Sequence, residues 1–297
     1  MTELRDHLER FVEPFLVKPG SMVELPGDHD PRFRAGVDKD DADETLKESV
    51  ELLADYQARL AAQDTYGVLV ILQAMDAAGK DGTIKHVMSG VDPQGVSVHS
   101  FKVPSAEELD HDYLWRYQQH LPARGEIGIF NRSHYEEVLV VRVHPQLLDP
   151  QRLPPDARGD DIWKRRFREI NDWEHYLVDN GIRVVKLFLN LSKGEQRQRF
   201  LARIDEPDKH WKFSARDVAE RAHWDDYQSA FSQVLSHTST SWAPWHVIPA
   251  DRKWFARIAA CAVIVQALVE IDPNYPEIGE QERTALRSAR SRLEAEV

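Results

Sequence analysis

The apolar positions of this chain follow two rhythms. The first is the unbroken run Tyr66–Leu72, YGVLVIL. Continuous β-branched and apolar runs of this length mark a strand covered on both faces, as in parallel sheets. Four further segments resemble it: Val96–Val103, which alternates, the short Glu126–Phe130, the long apolar Ile182–Leu189, and the short Trp245–Pro249. The second rhythm is helical. Across 44–62 the residues Leu46, Val50, Leu53, Tyr56 and Leu60 recur at helix spacing. Similar patterns fill about 80–89, 106–120, 133–142, 160–179, 192–206, 214–237 and 251–270.

Strands alternating with helices predict an α/β fold, a three-layer sandwich with a central parallel sheet of about five strands. Residues 13–43 are rich in Pro, Gly and Asp, which predicts an irregular arm. Ile278–Val297 is highly charged and reads as an amphipathic or loosely docked helix. The expected organisation is therefore an arm at 1–43, one domain at 44–275 and a C-terminal helix at 276–297. No internal repeat interrupts it.

Composition narrows the class. With 42% hydrophobic and 30% charged residues, the 297-residue chain has the content of a globular protein with a core. No stretch approaches the ~18 uncharged apolar residues of a membrane span. Met1 to Val12 lacks the apolar centre of a signal peptide. The single cysteine, Cys261, lies in the apolar run Ala259–Ala267 and reads as a core residue. A cytoplasmic protein with no membrane contact is expected. The net charge of −12 argues against a nucleic-acid partner. It also opposes any polyanionic substrate, so such a substrate requires a local basic cluster.

The strongest strand leads into Ala74-Met75-Asp76-Ala77-Ala78-Gly79-Lys80-Asp81-Gly82-Thr83 and then a helix. Small residues let backbone N–H groups turn towards an anion, and the helix N-terminus adds its dipole. A lysine at the position of Lys80 reaches the β/γ phosphates as a point charge. Compared with GxxxxGK(S/T), Ala74 replaces the first glycine and Asp81 replaces the metal-binding hydroxyl, while Thr83 lies further on. Asp76 within the loop suits a metal ligand, an activator of an acceptor phosphate, or a turn-stabilising carboxylate.

A second strand ends at Asn131, where a carboxylate is the usual metal director, and continues into Arg132-Ser133-His134-Tyr135-Glu136-Glu137. Glu136 and Glu137 are the nearest replacements, or ordinary acidic residues of a helix start. Arg132 suits a phosphate through its planar fork. The required basic cluster follows later: Lys193, Arg197, Arg199, Arg203, Lys209, Lys212 and Arg216 fall within 24 residues. Arg199 and Arg203 share a helix face. Such a segment suits a lid that closes over phosphates, and a solvated charged helix is the plain alternative. Asp28-His29-Asp30 and His111-Asp112 read as surface turns, and Trp242 and Trp245 as core.

The segments MDAAGKDGTIKH at 75–86, FNRSHYEEVLVVRVH at 130–144, DEPDKHWKFSARD at 205–217, WDDY at 224–227 and APWHVIPADRK at 243–253 resemble the polyphosphate kinase 2 family. The likeness covers about residues 45–270. The NRSHYEE form resembles the subgroup that phosphorylates both AMP and ADP. The resemblance implies a P-loop kinase-like sheet with a helical lid at about 199–217. It implies Mg²⁺-dependent transfer, with Mn²⁺ as a substitute ion, between inorganic polyphosphate and AMP, ADP or ATP. Homodimers or homotetramers are implied too.

By matched position, Asp76, Lys80, Arg132, Glu137 and Arg203 are the expected catalytic residues, with Asp76 and Glu137 on the metal. Phosphate and nucleotide binding is expected of Ala77, Ala78, Gly79, Lys80, Asp81, Gly82, Thr83, Lys85, Asn131, Arg132, Arg199, Arg203, Lys209 and Lys212. The Ala74 and Asp81 departures are those of the family, whereas Asn131 leaves the metal ligands open. An ATP-dependent nucleoside monophosphate kinase and a non-catalytic nucleotide sensor are the competing readings.

Overall fold

Each of the five runs is a strand in the computed structural model, which describes residues 2–159 and 161–296. These are β1 (Gly67–Ala74), β2 (Val96–Ser100), β3 (Ile127–Asn131), β4 (Ile182–Asn190) and β5 (Trp245–Pro249). All pair in parallel, in the order β2-β3-β1-β4-β5. β1 is central, and its side chains divide between the faces as strand geometry requires. Val68, Val70 and Leu72 enter one apolar cluster, while Leu69 and Ile71 enter the other. Leu72 lies opposite Asn131, so the loops after β1 and β3 emerge side by side. Open α/β sheets bind ligands at the carboxyl ends of such strands.

In chain order the helices are α1 (Thr2–Val12), α2 (Ala42–Gln63), α3 (Lys80–Val87), α4 (Ala106–Leu109), α5 (Trp115–Gln118), α6 (Val140–Val143), α7 (Ile162–Asp179), α8 (Lys193–Asp205), α9 (Ala215–Glu220), α10 (Trp224–Thr238), α11 (Lys253–Ile271) and α12 (Glu280–Glu294). On one face, Leu53 and Leu60 of α2 meet Phe255 and Leu268 of α11. On the other, Ile170 of α7 meets Phe231 and Leu235 of α10. Burying each large apolar side chain contributes roughly 1.5–3 kcal/mol. α11 is long and apolar enough to cross a membrane by composition, yet 72% of its 18-residue apolar window is buried in the protein. It is the core helix of one layer, apolar all round because it is enclosed.

Three helical expectations change form. The 106–120 pattern becomes α4, started by a Ser105–Glu108 capping box, and α5, separated by a turn in which the Asp112 carboxylate accepts from the Leu114 N–H at 2.9 Å. Local side-chain bonds of this kind compete with helix propagation. The 133–142 pattern begins as a 3-10 turn, His134–Glu137, and the 214–237 pattern is split by a turn at Arg221–His223. The arm is also more ordered than its composition predicts. Its first residues form α1, which joins the α11 cluster through Leu8 and Val12. Farther on, the Val23 and Leu25 N–H groups donate to Ser236 Oγ and Ser232 Oγ, each at 2.9 Å. α12 has no buried residue, as its charge pattern predicts.

Candidate active site

The loop between β1 and α3 departs from ordinary backbone geometry at two points. Ala77 has φ +63° and Gly79 has φ +107°, both in the left-handed region. Only glycine adopts that region without penalty, so a side chain at position 79 would strain the loop. Such turns assemble amides into anion-binding concavities, and the first amides of α3 have no partner within their helix. The loop carbonyls are tied from behind. Arg199 Nη1 donates to Ala77 O at 3.0 Å and Ala78 O at 2.7 Å, and Arg199 Nη2 donates to Ala250 O at 2.6 Å. Gln196 Nε2 donates to Asp76 O at 2.9 Å.

Four charged groups meet where β1 and β3 end. Arg132 Nη2 contacts Asp76 Oδ1 at 2.9 Å, and Nη1 contacts Glu136 Oε2 at 3.0 Å. The Glu136 charge, outweighing burial and aided by Asp76, raises the Arg132 pKa further. Arg132 has φ +66°, a costly conformation for a side-chain-bearing residue, fixed where its N–H donates to Leu72 O at 3.2 Å. Among the described residues, Lys80 Nζ donates only to Ala74 O, at 3.1 Å. Burial, reinforced by the Arg132 charge, pushes the Lys80 ammonium down to about 8, against the pull of Asp76, Glu136 and Asp81.

Asn131 and Asp81 are explained by one contact. Asn131 Nδ2 donates to Asp81 Oδ1 at 2.7 Å and to Ser100 Oγ at 3.3 Å. The strand end therefore supplies an amide, and the helix start supplies the carboxylate it holds. The carboxylate stands at the helix start, where a hydroxyl is usual, and an amide stands at the strand end, where a carboxylate is usual.

These residues open on a cavity of about 850 Å³, within the range of ligand clefts. Residues 76–83 form its floor, with Ser100, Phe101 and Lys102 on one flank and α8, the 206–217 segment and the start of α11 around the rest. Eight cations line it: Lys80, Lys102, Arg132, Arg199, Arg203, Lys209, Lys253 and Arg257. Arg199 pairs with Glu195 at 2.8 Å, Arg203 with Asp217 at 3.4 Å and Lys209 with Glu206 at 2.5 Å. Among the described residues, no ion pair includes Lys80, Lys102, Lys253 or Arg257.

The structure thus gathers most of the expected set: 76–83, Asn131, Arg132, Arg199, Arg203 and Lys209 all line one cavity. Two expected residues, Glu137 and Lys85, lie outside the cavity lining, and a third, Arg199, lies in its wall with its guanidinium engaged. Glu137 is buried away from the cavity, where Arg166 Nη1 reaches its carboxylate at 2.8 Å and Gln151 Nε2 donates to it at 2.8 Å. It is committed to this pair, and burial raises its pKa despite Arg166. Its neighbour Glu136 instead pairs with Arg132, which lines the cavity beside Asp76 and Asp81. Lys85 is exposed on α3 outside the cavity lining. Arg199 lies in the cavity wall, but its guanidinium is engaged by four backbone carbonyls and Glu195, so it shapes the loop. The Lys212 side chain lies outside the described residues.

Sequence reasoning missed Gln196, Lys102, Lys253 and Arg257. Lys253 closes the quoted ADRK segment, which was the one available signal.

Beneath the site lies a second polar cluster. Lys186 Nζ donates to Glu174 Oε2 at 2.6 Å, Thr238 O at 2.6 Å and Tyr135 Oη at 3.0 Å. Tyr135 Oη donates to Glu174 Oε1 at 2.8 Å, and His134 Nε2 lies 3.3 Å from the same oxygen. Lys186, Glu174 and His134 are fully buried. Lys186 and His134 outweigh burial and hold Glu174 below its usual pKa. The cluster anchors the turn that follows Arg132 to β4 and α7.

Residues 36–276 match the family model described as Polyphosphate kinase 2. The chain belongs to the polyphosphate kinase 2 family. It is similar to the ADP-polyphosphate phosphotransferase of Rhodopseudomonas palustris, with 49% identity over 94% of this chain and 97% of the relative. The AMP/ADP-polyphosphate phosphotransferase of Meiothermus ruber is 43% identical over 90% and 96%. The crystal structure of Polyphosphate Kinase 2 from Arthrobacter aurescens TC1 superposes with a TM-score of 0.82 at 40% identity, covering 92% of this chain and 96% of that one. The polyphosphate kinase 2 sheet and its flanking helices are thus common to both.

Proposed function

We propose that this family member transfers a terminal phosphoryl group, reversibly, between inorganic polyphosphate and AMP or ADP, forming ADP and ATP. Both similar phosphotransferases carry polyphosphate and an adenine nucleotide in their names. The observation that carries the reading is Lys80. It is a half-buried cation at the base of a cavity which, among the described residues, has no carboxylate in ion-pair distance and a single carbonyl contact.

Phosphoryl transfer asks for alignment and charge neutralisation more than for covalent chemistry. In this P-loop reading, Lys80 and the amides of 77–82 hold the terminal donor phosphate. Arg132, pinned by Asp76 and Glu136, is already oriented when the phosphates arrive, and its fork bridges donor and acceptor oxygens. Arg203 and Lys209 approach from the lid segment, and their pairing with Asp217 and Glu206 in the free protein is exchanged for phosphate. Lid closure would exclude water from the transfer.

Asp76 and Asp81 each keep one carboxylate oxygen outside their contacts with Arg132 and Asn131 and line the same cavity. The described residues hold no group of three or more metal-ligating side chains. That combination fits Mg²⁺, or Mn²⁺ in its place, which takes one or two carboxylates and completes its shell with water and phosphate. Asp76 and Asp81 would hold the ion, and when bound it would neutralise phosphate oxygens. A cytoplasmic setting and a homodimeric or homotetrameric assembly complete the proposal.

Incubation with AMP, Mg²⁺ and either polyphosphate or ATP tests it. ADP formed from polyphosphate supports the reading. ADP formed only when ATP is the donor indicates a nucleoside monophosphate kinase, and no product with either donor indicates a sensor.

A further inference from the structure

A separate cavity, of about 190 Å³, opens at the carboxyl ends of β4 and β5, under the arm segment that carries Asp28-His29-Asp30. It shares no lining residue with the phosphate cavity. The arm is fastened over it at two points. Asn190 Nδ2 donates to His29 O at 2.8 Å, and the Asp251 N–H donates to Pro31 O at 3.1 Å. The Asp-His-Asp motif, which reads along the sequence as a surface turn, is therefore one wall of a cavity.

The opposite walls are apolar. Phe15 and Phe33 meet edge to face with ring centroids 6.2 Å apart, and Val247 and Pro249 of β5 lie beside them. The polar groups are of one kind, acceptors. Asp28 Oδ2 accepts from the Glu24 N–H at 2.7 Å, and Asp30 Oδ1 accepts from the Arg32 N–H at 2.9 Å. Among the described residues, the second oxygen of each carboxylate has no hydrogen bond. Asn190 is only 2% exposed, yet its Oδ1 also accepts no hydrogen bond from a described residue. A buried amide oxygen without a donor costs free energy until a ligand supplies one. His29 brings no positive charge, because burial lowers its pKa against the pull of Asp28. No described lysine or arginine lines this cavity, whereas eight cations line the phosphate cavity.

These features select a ligand class. Acceptors without donors call for a group rich in N–H, and two carboxylates call for a positive one. Anions, phosphate included, are repelled. A metal ion would need several oxygen ligands, and the described residues hold no group of three or more metal-ligating side chains. Aromatic and proline walls suit an alkyl stem, and aromatic rings attract a cationic head. The volume is below the roughly 300 Å³ at which clefts for drug-sized ligands begin, so the ligand is small.

We infer that this cavity binds a primary alkylammonium ion, with its stem along Phe15 and Phe33 and its head on Asn190 Oδ1, Asp28 and Asp30. An ammonium has three donors and no acceptor, and three acceptor groups face it. The site does not depend on the polyphosphate reading of the other cavity.

Isothermal titration calorimetry of the full chain at constant ionic strength tests it with three four-carbon probes: n-butylammonium, 1-butanol and butyrate. n-Butylammonium should bind saturably, with a Kd on the order of 1 mM or below, and the other two at least about tenfold more weakly. D28N/D30N keeps an oxygen for the Glu24 and Arg32 N–H groups, so its circular dichroism and thermal melting should match those of the wild type. Its Kd for n-butylammonium should rise about tenfold. F33A, at a residue 42% exposed, should raise that Kd about threefold by removing one ring. Two further probes fix the source. Tighter binding of 1,4-diaminobutane than of n-butylammonium points to a free diamine, and tighter binding of Nα-acetyl-lysine methylamide points to a lysine side chain; either supports the ammonium site. Equal binding of all three four-carbon probes, no saturable binding of n-butylammonium up to about 50 mM, or an unchanged Kd in both variants would overturn it.

Discussion

Two lysines, one in the middle of β4 and one just beyond β1, show opposite uses of a charge. Lys186 on β4 is fully buried, and its three bonds, to Glu174, Tyr135 and Thr238 O, use every donor of the ammonium. Lys80 at the start of α3 is half-buried and has one bond, to Ala74 O. The first lysine is complete without a ligand and serves the fold. Among the described residues the second makes no further hydrogen bond, so two of its donors remain for a ligand, while burial lowers the pKa of both lysines. Burial alone does not separate the two roles. The count of satisfied donors does.

The largest expected effect comes from removing the free charge. Lys80→Met should lower kcat/KM with polyphosphate and AMP by about 10³ or more, roughly 4 kcal/mol of transition-state stabilisation. Its urea midpoint should stay level or rise, since a poorly matched charge is lost. A comparable fall in the midpoint would place Lys80 among structural residues. The converse experiment is Glu174→Ala, which leaves Lys186 buried and unpaired. It should cost about 3–5 kcal/mol in urea unfolding. Adding Lys186→Met should recover part of that loss, and a double variant as unstable as the single one would contradict the pairing argument.

Neighbouring glutamates sharpen the same contrast. Glu136→Gln should reduce turnover about tenfold by loosening Arg132, with a stability change below about 1 kcal/mol. Glu137→Gln should instead cost about 1–3 kcal/mol of stability by weakening the Arg166 contact, while folded enzyme stays active. Reversed results would return Glu137 to the site.

The smallest effect is in pH. The Lys80 pKa is depressed from 10.5 to about 8, so kcat/KM should fall as pH rises through about 8. Stability has the opposite sign. Between about 8 and 10.5 the unfolded chain binds more protons at this lysine, so its contribution to the ligand-free protein's stability becomes more favourable with rising pH. Subtracting the Lys80→Met stability profile from that of the wild type isolates this slope. A flat difference would mean the lysine is not depressed.

Much of this was readable along the chain. The five strands, their parallel pairing and the loop at Lys80 follow from apolar runs and small residues, which are local signals. The different placement of the two glutamates has another cause. Glu136 and Glu137 are adjacent in a 3-10 turn, and their directions are decided by Arg166 and Gln151, distant in sequence. Arg199 and Arg203 share a helix face, yet one tethers loop carbonyls and the other faces Asp217, because β1 and the lid approach that face from different sides. The Asn131–Asp81 contact joins two departures that are unrelated until β1 and β3 are set in register.

The most direct test of the central claim is single-turnover ADP formation from polyphosphate and AMP by Lys80→Met beside wild type, at saturating donor. The account predicts a folded variant whose transfer step is slower by about 10³ or more. A variant that transfers phosphate at the wild-type rate would contradict it, and the free charge at Lys80 would need another purpose.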